Sequence, residues 1–327
     1  MCTVVPRSCA CRGRSWSAVL DDVRLRIIVG PTAAGKSALA LALARSAGAV
    51  IINADSRQIY RGFDIGTAKP LPNALAEVPH VGVDVADPNE RYSAARFAAL
   101  AREAIQDSTL QGREVLVVGG TGFYVRALID PLFPEPTLDP SRRSQLGDYL
   151  ATLDTDMLRA WCTLIDPPRS SLGRTQLLRA IEVALLTGKR LSEHFRAAPT
   201  EQKIAPRYLV VDPGAALGAA IERRVDAMLS AGWLDEVRRL SEDIPASAPA
   251  WKATGYETLR RYVEGSSAGE LSAARAAVVT ATRQYAKRQR TWFRHQLHGH
   301  MQTLDPNERG ALDRAMAWWR EGAAVRI

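Results

Sequence analysis

The chain has 327 residues, 46% of them hydrophobic, and carries 43 Lys and Arg against 35 Asp and Glu, a formal net charge of +8. That composition can bury a core and excludes a disordered chain. The length suggests about two domains, and no apolar run approaches the roughly 18 residues that a membrane span needs. The basic excess permits a polyanionic partner. Of the four cysteines, Cys2, Cys9 and Cys11 crowd the N-terminus and Cys162 stands alone. This argues against a disulfide framework and points to a reducing, cytoplasmic setting. Cys9 and Cys11 form a C-x-C without a second pair at zinc spacing.

In chain order, residues 1–24 include Arg7, Arg12 and Arg14 and resemble a transit peptide in composition. The simpler reading, taken here, is a disordered N-terminal extension. Val23 to Val29 is a short β-rich run that ends in GPTAAGKS (30–37), followed by the Ala/Leu-rich SALALALARSA. Strand, glycine loop and helix are the context that makes the pattern G-x-x-x-x-G-K-[ST] a phosphate-binding loop. The backbone amides between Gly30 and Gly35 (Gly30, Pro31, Thr32, Ala33, Ala34, Gly35) can ring a phosphate, proline excepted, and the helix N-terminus favours an anion. Lys36 is a point charge for terminal phosphates, and Ser37 can ligate Mg²⁺.

AVIIN (49–53) predicts a second strand, HVGVDV (80–85) a third and EVLVVGG (114–120) a fourth, with YSAARFAALAREAI between the last two predicting a helix capped by Ser93. Strands alternating with helices predict a parallel sheet covered on both faces, whose ligands gather at the carboxyl ends of the strands. Asp55 stands just past the second strand. It reads equally as a general base or water-mediated Mg²⁺ ligand and as a cap of the turn around Ser56. The fourth strand runs into Gly119, Gly120 and Thr121 rather than into the Asp found in many phosphate-loop nucleotidases. Thr121 can donate to a phosphate oxygen.

Residues 130–140, with four prolines, read as a linker or domain entry. From about 141 the pattern is helical, with Leu177, Leu178, Ile181, Ala184 and Leu185 at helical spacing, and RYLVVDP (207–213) is the one late strand candidate. In ATRQYAKRQRTWFRHQ (281–296), Arg283, Lys287, Arg290 and Arg294 recur on one helix face, with Tyr285 and Trp292 on another. A basic face with aromatics suits RNA, and a solvated face over core aromatics has the same pattern. His295, His298 and His300 read as surface residues.

In this order, GPTAAGKS, DSRQIYRGFDIGTAKP, PHVGVDVADP, YSAARF, VVGGTGFYVRAL, RAIEVALLTGK, RRVDAMLSAGWLDEV, ATGYETL and ATRQYAKRQRTWFR resemble the tRNA dimethylallyltransferase (tRNA isopentenyltransferase) family from about residue 25 to 297. The resemblance implies a phosphate-loop α/β core with a small helical insertion domain. It implies a loop that holds dimethylallyl diphosphate rather than a nucleotide, a requirement for Mg²⁺, and transfer of the five-carbon group to N6 of adenosine 37 in tRNA. The implied boundaries are a core at 25–136 and 200–310 and an insertion domain at 137–199 that contacts tRNA.

Residue by residue, the resemblance implies Asp55 as general base, Thr121 at the leaving group or bridge oxygen, and Lys36, Ser37 and Arg224 at the pyrophosphate, with Ser37 on the metal. It implies tRNA contacts from Asp55, Ser56, Arg57, Gln58, Thr121, Arg143, Gln176, Leu177, Leu178, Arg179, Arg283, Lys287, Arg290 and Arg294. A bacterial-type, monomeric enzyme is expected, because the zinc-finger tail of eukaryotic relatives has no counterpart. Ala34 replaces a commoner small hydroxyl residue and is tolerated because the loop works through its backbone. The alternatives are a small-molecule kinase, which would want an acid after the fourth strand, a prenyltransferase of free adenine nucleotides, which would not need the basic helix, and a non-catalytic RNA-binding protein.

Overall fold

The computed structural model describes residues 25–130, 138–197, 206–265 and 270–321. The extension expected over 1–24, and most of the proline-rich stretch, lie outside them. The chain divides into two units, residues 1–130 with 203–327, and residues 131–202.

The first unit is built on a six-stranded, all-parallel sheet in the order β3-β2-β4-β1-β5-β6. The strands are β1 (Arg26–Val29), β2 (Val50–Asn53), β3 (His80–Val81), β4 (Val115–Gly119), β5 (Arg207–Val211) and β6 (His300–Leu304). β1, β2 and β4 are buried along their whole length, as strands sandwiched between helices should be. From β1 the chain passes through α1 (Lys36–Ala47) to β2 on one side, and from β3 through α3 (Ala94–Leu110) to β4 in the opposite direction. Right-handed crossovers therefore put α1 on one face and α3, with its neighbour α4 (Gly122–Ile129), on the other. Between them lies the short α2 (Pro72–Glu77). The helices that follow the adjacent strands β1 and β4 thus leave on opposite faces, which opens a crevice at the carboxyl ends of these two strands.

Two sequence expectations change. The third strand is only two residues long, because Gly82 and Asp84 take positive φ and turn the chain away. The sheet also has a sixth strand, β6, which periodicity did not reveal: HMQTL is mostly exposed, and its pairing with all five residues of β5 supplies the order. Beyond β6, helix α13 (Ala311–Glu321) packs on α1, and Trp319 lies under the Arg26 guanidinium, 4.3 Å from ring centroid to Cζ. The core therefore continues past the expected boundary at residue 310. The remaining helices of this unit are α9 (Leu217–Ser230), α10 (Trp233–Asp243), α11 (Tyr256–Val263) and α12 (Leu271–Gln296). No helix among the described residues is long and apolar enough to cross a membrane.

The second unit is helical: α5 (Pro140–Thr152), α6 (Thr155–Ile165), α7 (Arg174–Thr187) and α8 (Leu191–Ala197). Asp139 and Asp154 cap α5 and α6 by accepting from Arg142 and Met157 amides. The core is Leu150, Leu158, Cys162, Leu177, Ala180, Ile181, Val183 and Leu191. Leu177 is fully buried there, so its side chain is spent on the core, and Leu178 packs partly against the same cluster. Of the apolar residues at helical spacing, Leu185 faces out, while Val183 is buried. Truncating Leu177 to Ala should cost about 2–5 kcal/mol. Hydrogen exchange should show α7 amides losing protection while β1 and β4 keep theirs.

Candidate active site

The loop after β1 is shaped by two left-handed residues, Ala33 (φ 63°) and Gly35 (φ 83°), which turn successive amides inward as an anion nest. Not every amide faces the cavity. Thr32 N–H donates to Gln289 Oε1 at 2.8 Å, and Ala34 N–H to Pro31 O at 3.3 Å. A phosphate is left with the amides of Ala33 and Gly35, and with those of Lys36 and Ser37 in the first turn of α1, where helix geometry provides no intrahelical partner. The expectation of a full ring of amides is corrected to this extent.

Lys36 donates its ammonium to Pro31 O at 2.6 Å. Burial, reinforced by the nearby Arg224 cation, pulls its pKa down to about 7 against the opposing pull of Asp55. Arg224, on α9, is also lowered by burial and supported by Asp55, and its guanidinium reaches Thr67 O at 3.5 Å. Thr32, Asp55, Arg57, Thr67, Arg224 and Tyr285 line one cavity. Lys36, Arg224 and Asp55 therefore form one half-buried electrostatic group with a surplus of positive charge.

Asp55 follows β2 and Thr121 follows β4, and the two strand ends are level, Asn53 being paired with Val118. Asp55 Oδ1 accepts from Arg57 N–H at 2.8 Å, so the carboxylate makes the turn contact that the sequence allowed and still borders the cavity. Thr121 Oγ1 accepts from Ser56 N–H at 2.9 Å and donates to Ser56 Oγ at 3.2 Å. Tyr285, on α12, lies beside Thr121, and burial pushes its hydroxyl up to about 12. The Thr121 hydroxyl is thus held by two bonds to Ser56.

Two other expected RNA contacts are engaged internally. Gln58 is buried and donates to Thr67 O and Ala68 O, both at 3.0 Å, so it ties down its own loop. Arg290 donates from Nε to Asp212 Oδ2 at 2.8 Å, makes a second bond to Asp212, and reaches Gly214 O at 2.7 Å. It fastens α12 to the end of β5, so in the free protein its charge is already engaged by a carboxylate. Arg283 pairs with Glu222. Lys287 and Arg294 are exposed, as are His295, His298 and His300. In the second unit, Arg143 Nε donates to Glu182 Oε1 at 2.6 Å, Arg179 pairs with the same carboxylate, and Gln176 Oε1 accepts from Gly173 N–H at 3.3 Å.

Two residues that sequence reasoning did not single out organise the site. Glu236, buried on α10, accepts from the amides of Asp64 (3.1 Å), Ile65 (2.8 Å) and Gly66 (3.5 Å) and from Tyr256 Oη (2.5 Å). It holds the loop whose Thr67 carbonyl meets Arg224. Gln289 joins the β1 and β4 loops. The sole sequence signal was polarity at an inward-facing helix position, visible only once the inward face of each helix is known.

The family described as IPP transferase matches residues 58–296, and the one described as isopentenyl transferase matches residues 23–86. A tRNA dimethylallyltransferase of Anaeromyxobacter sp. (strain K) is 41% identical over 278 residues, covering 83% of this chain and 90% of that protein. One from Halorhodospira halophila is 41% identical, covering 85% and 92%. Among solved structures, the tRNA isopentenylpyrophosphate transferase of Bacillus halodurans has a TM-score of 0.65 at 30% identity, covering 91% of this chain and 96% of that one. A eukaryotic dimethylallyltransferase acting on tRNA has a TM-score of 0.75 at 26% identity, covering 90% and 77%. With a phosphate loop, a level carboxylate and a held threonine at one sheet edge, and relatives matched over most of their length, the chain belongs to the tRNA dimethylallyltransferase family of prenyltransferases.

Proposed function

We propose that the chain transfers the dimethylallyl group of dimethylallyl diphosphate to N6 of adenosine 37 in tRNA, releasing pyrophosphate. The observation that carries this reading is the cavity that Asp55 and Arg224 line together with Thr32 of the phosphate loop, with Lys36 close enough for the charges of both to act on it. An allylic diphosphate leaves as a multiply charged anion. Lys36, Arg224 and the amides of Ala33, Gly35, Lys36 and Ser37 stabilise the charge that grows on the leaving oxygens, at fixed positions in a half-buried site. The Thr121 hydroxyl is set to meet the bridge oxygen. The exocyclic amine of adenine attacks the allylic carbon, the carbon–oxygen bond breaks, and Asp55 takes the proton that the nitrogen sheds. Adenine must leave its stack for N6 to arrive.

Ser37 is exposed at the start of α1 and offers a hydroxyl oxygen, the hard donor that Mg²⁺ prefers. Groups of three or more His, Cys, Asp or Glu side chains able to hold a metal are absent among the described residues. This fits an ion held mainly by diphosphate oxygens and water, with Ser37 as its protein ligand, and such an ion would supply further charge neutralisation on the leaving group. The kinase alternative is not favoured, because β4 ends in Gly119, Gly120 and Thr121 without an acid.

RNA contacts are proposed for Arg57, Lys287 and Arg294 in the first unit and for Arg143, Gln176 and Arg179 in the second. Asp55→Asn should slow single-turnover transfer by about 10²- to 10⁴-fold with little change in substrate binding. Turnover within a few-fold of wild type would leave Asp55 as a turn residue.

Lys36 should make diphosphate binding a proton-linked event. The free-enzyme pKa is about 7, and a bound anion raises it. At pH 8 binding should therefore take up close to one proton more in wild type than in Lys36→Ala, and at pH 6 the difference should vanish because Lys36 is already charged. Calorimetry in buffers of different ionisation enthalpy reads this directly.

For the RNA, removing Lys287 or Arg294 should flatten the log–log salt dependence of stem-loop binding by ~0.7 per contact. Removing Arg290 should leave that slope unchanged and lower the melting temperature.

A further inference from the structure

The crevice between the carboxyl ends of β1 and β4 is not open: the side chain of Gln289 fills it. Gln289 comes from α12 and is 6% exposed. Its Oε1 accepts from Thr32 N–H at 2.8 Å, and its Nε2 donates to Gly120 O at 2.8 Å. The helix comes this close because the β4 loop lacks side chains there. A Cβ at Gly120 would lie 2.3 Å from Gln289 Nε2, and one at Gly122 would lie 2.1 Å from the Trp292 ring.

We propose that Gln289 is a positioning residue of the transfer reaction. By accepting from the diphosphate loop and donating to the loop that carries Thr121, it fixes the distance between the groups that hold the leaving pyrophosphate and the hydroxyl that meets its bridge oxygen. The inference rests on the reading of this chain as a prenyl-diphosphate transferase.

The chemistry of the fork requires a primary amide. One side faces an N–H and needs an acceptor, and the other faces a carbonyl and needs a donor; a primary amide offers both at every pH, whereas a carboxyl of the same length offers both only when protonated. An ionised glutamate would satisfy Thr32 but set a carboxylate oxygen against Gly120 O. A protonated glutamate would satisfy both, because its O–H can donate to the carbonyl. Gly120 immediately precedes Thr121, and Tyr285, one turn before Gln289 on the same helix, lies beside Thr121. Loss of the amide should therefore shift the reacting groups against one another, and a displacement of about 1 Å can cost around 10²-fold in rate.

The test uses full-length wild type, Gln289→Ala, Gln289→Glu and Gly120→Ala in single-turnover transfer at saturating dimethylallyl diphosphate and anticodon stem-loop RNA, from pH 5.5 to 8.5. RNA affinity, inorganic pyrophosphate affinity and melting temperature are measured alongside. Gln289→Ala and Gly120→Ala should slow transfer by about 10- to 10²-fold and weaken pyrophosphate binding, while RNA affinity stays within two-fold of wild type. The rate of Gln289→Glu relative to wild type should rise as pH falls and the carboxyl takes its proton, a limb that Gln289→Ala lacks.

Transfer by folded Gln289→Ala within three-fold of wild type overturns the proposal. So does a Gln289→Glu to wild-type ratio that is flat with pH, which also decides the matter if the alanine variants do not fold. If wild type transfers no five-carbon group to RNA, the functional reading fails, and the pyrophosphate affinities of wild type and Gln289→Ala still decide whether Gln289 sets the loop.

Discussion

Two cations and one carboxylate share a half-buried site at the carboxyl edge of the sheet, and the remaining features of that edge serve this imbalance. Lys36 and Arg224 each lose stability as cations through burial, and Asp55 compensates both only in part. A multiply charged anion relieves the strain on both cations at once. The same group that is uncomfortable in the free protein is thus preorganised for a departing pyrophosphate, and partial burial strengthens each interaction as charge develops. Asp55 acts on two cations of opposite sign to itself, and in the proposed reaction it has a proton to accept. Its position past β2, level with the loop after β4, is what joins the electrostatics to the chemistry.

The fold produces this group through close approaches of backbone. Gly119 lets β4 lie against Ala54, since a Cβ there would sit 2.1 Å from Ala54 O, so that Thr121 and Asp55 emerge side by side. Glu236 gathers three amides of the Asp64–Gly66 loop and so presents the Thr67 carbonyl to Arg224. Arg290 fastens α12 to β5 through Asp212, which leaves Gln289 and Tyr285 pointing into the crevice. Each of these contacts joins elements distant in the chain, from 65 positions apart for Gly119 and Ala54 to 172 for Glu236 and Asp64, and the catalytic edge is where they meet.

The contiguous part of the site was legible in the sequence. GPTAAGKS carries its strand, turn and helix within a dozen residues, and Asp55 and Gly119–Thr121 follow apolar runs whose ends mark the sheet's edge. What could not be read depends on partners distant in the chain. Gln289 meets Thr32 across 257 positions, and Glu236 meets Asp64 across 172. Helical spacing correctly grouped Arg283, Lys287, Arg290 and Arg294, but it could not show that Glu222 and Asp212 engage two of them. Strand β6 was missed for the same reason: its order comes from β5, not from its own residues. For Leu177, the helical spacing with its apolar neighbours matches its place in the core of the second unit.

The central claim is that the loop after β1 holds the diphosphate of a prenyl donor, so that the carboxylate across the cavity can deprotonate an adenine amine. It is tested most directly by incubating the protein and Mg²⁺ with an anticodon stem-loop and either dimethylallyl diphosphate or ATP, and then determining the mass of the RNA. The account predicts that RNA with adenosine at position 37 gains one five-carbon unit from dimethylallyl diphosphate. RNA with inosine there, which lacks the exocyclic amine, should gain none, and ATP should leave both unchanged. Phosphate transfer from ATP, or prenylation of the inosine-containing RNA, would contradict it.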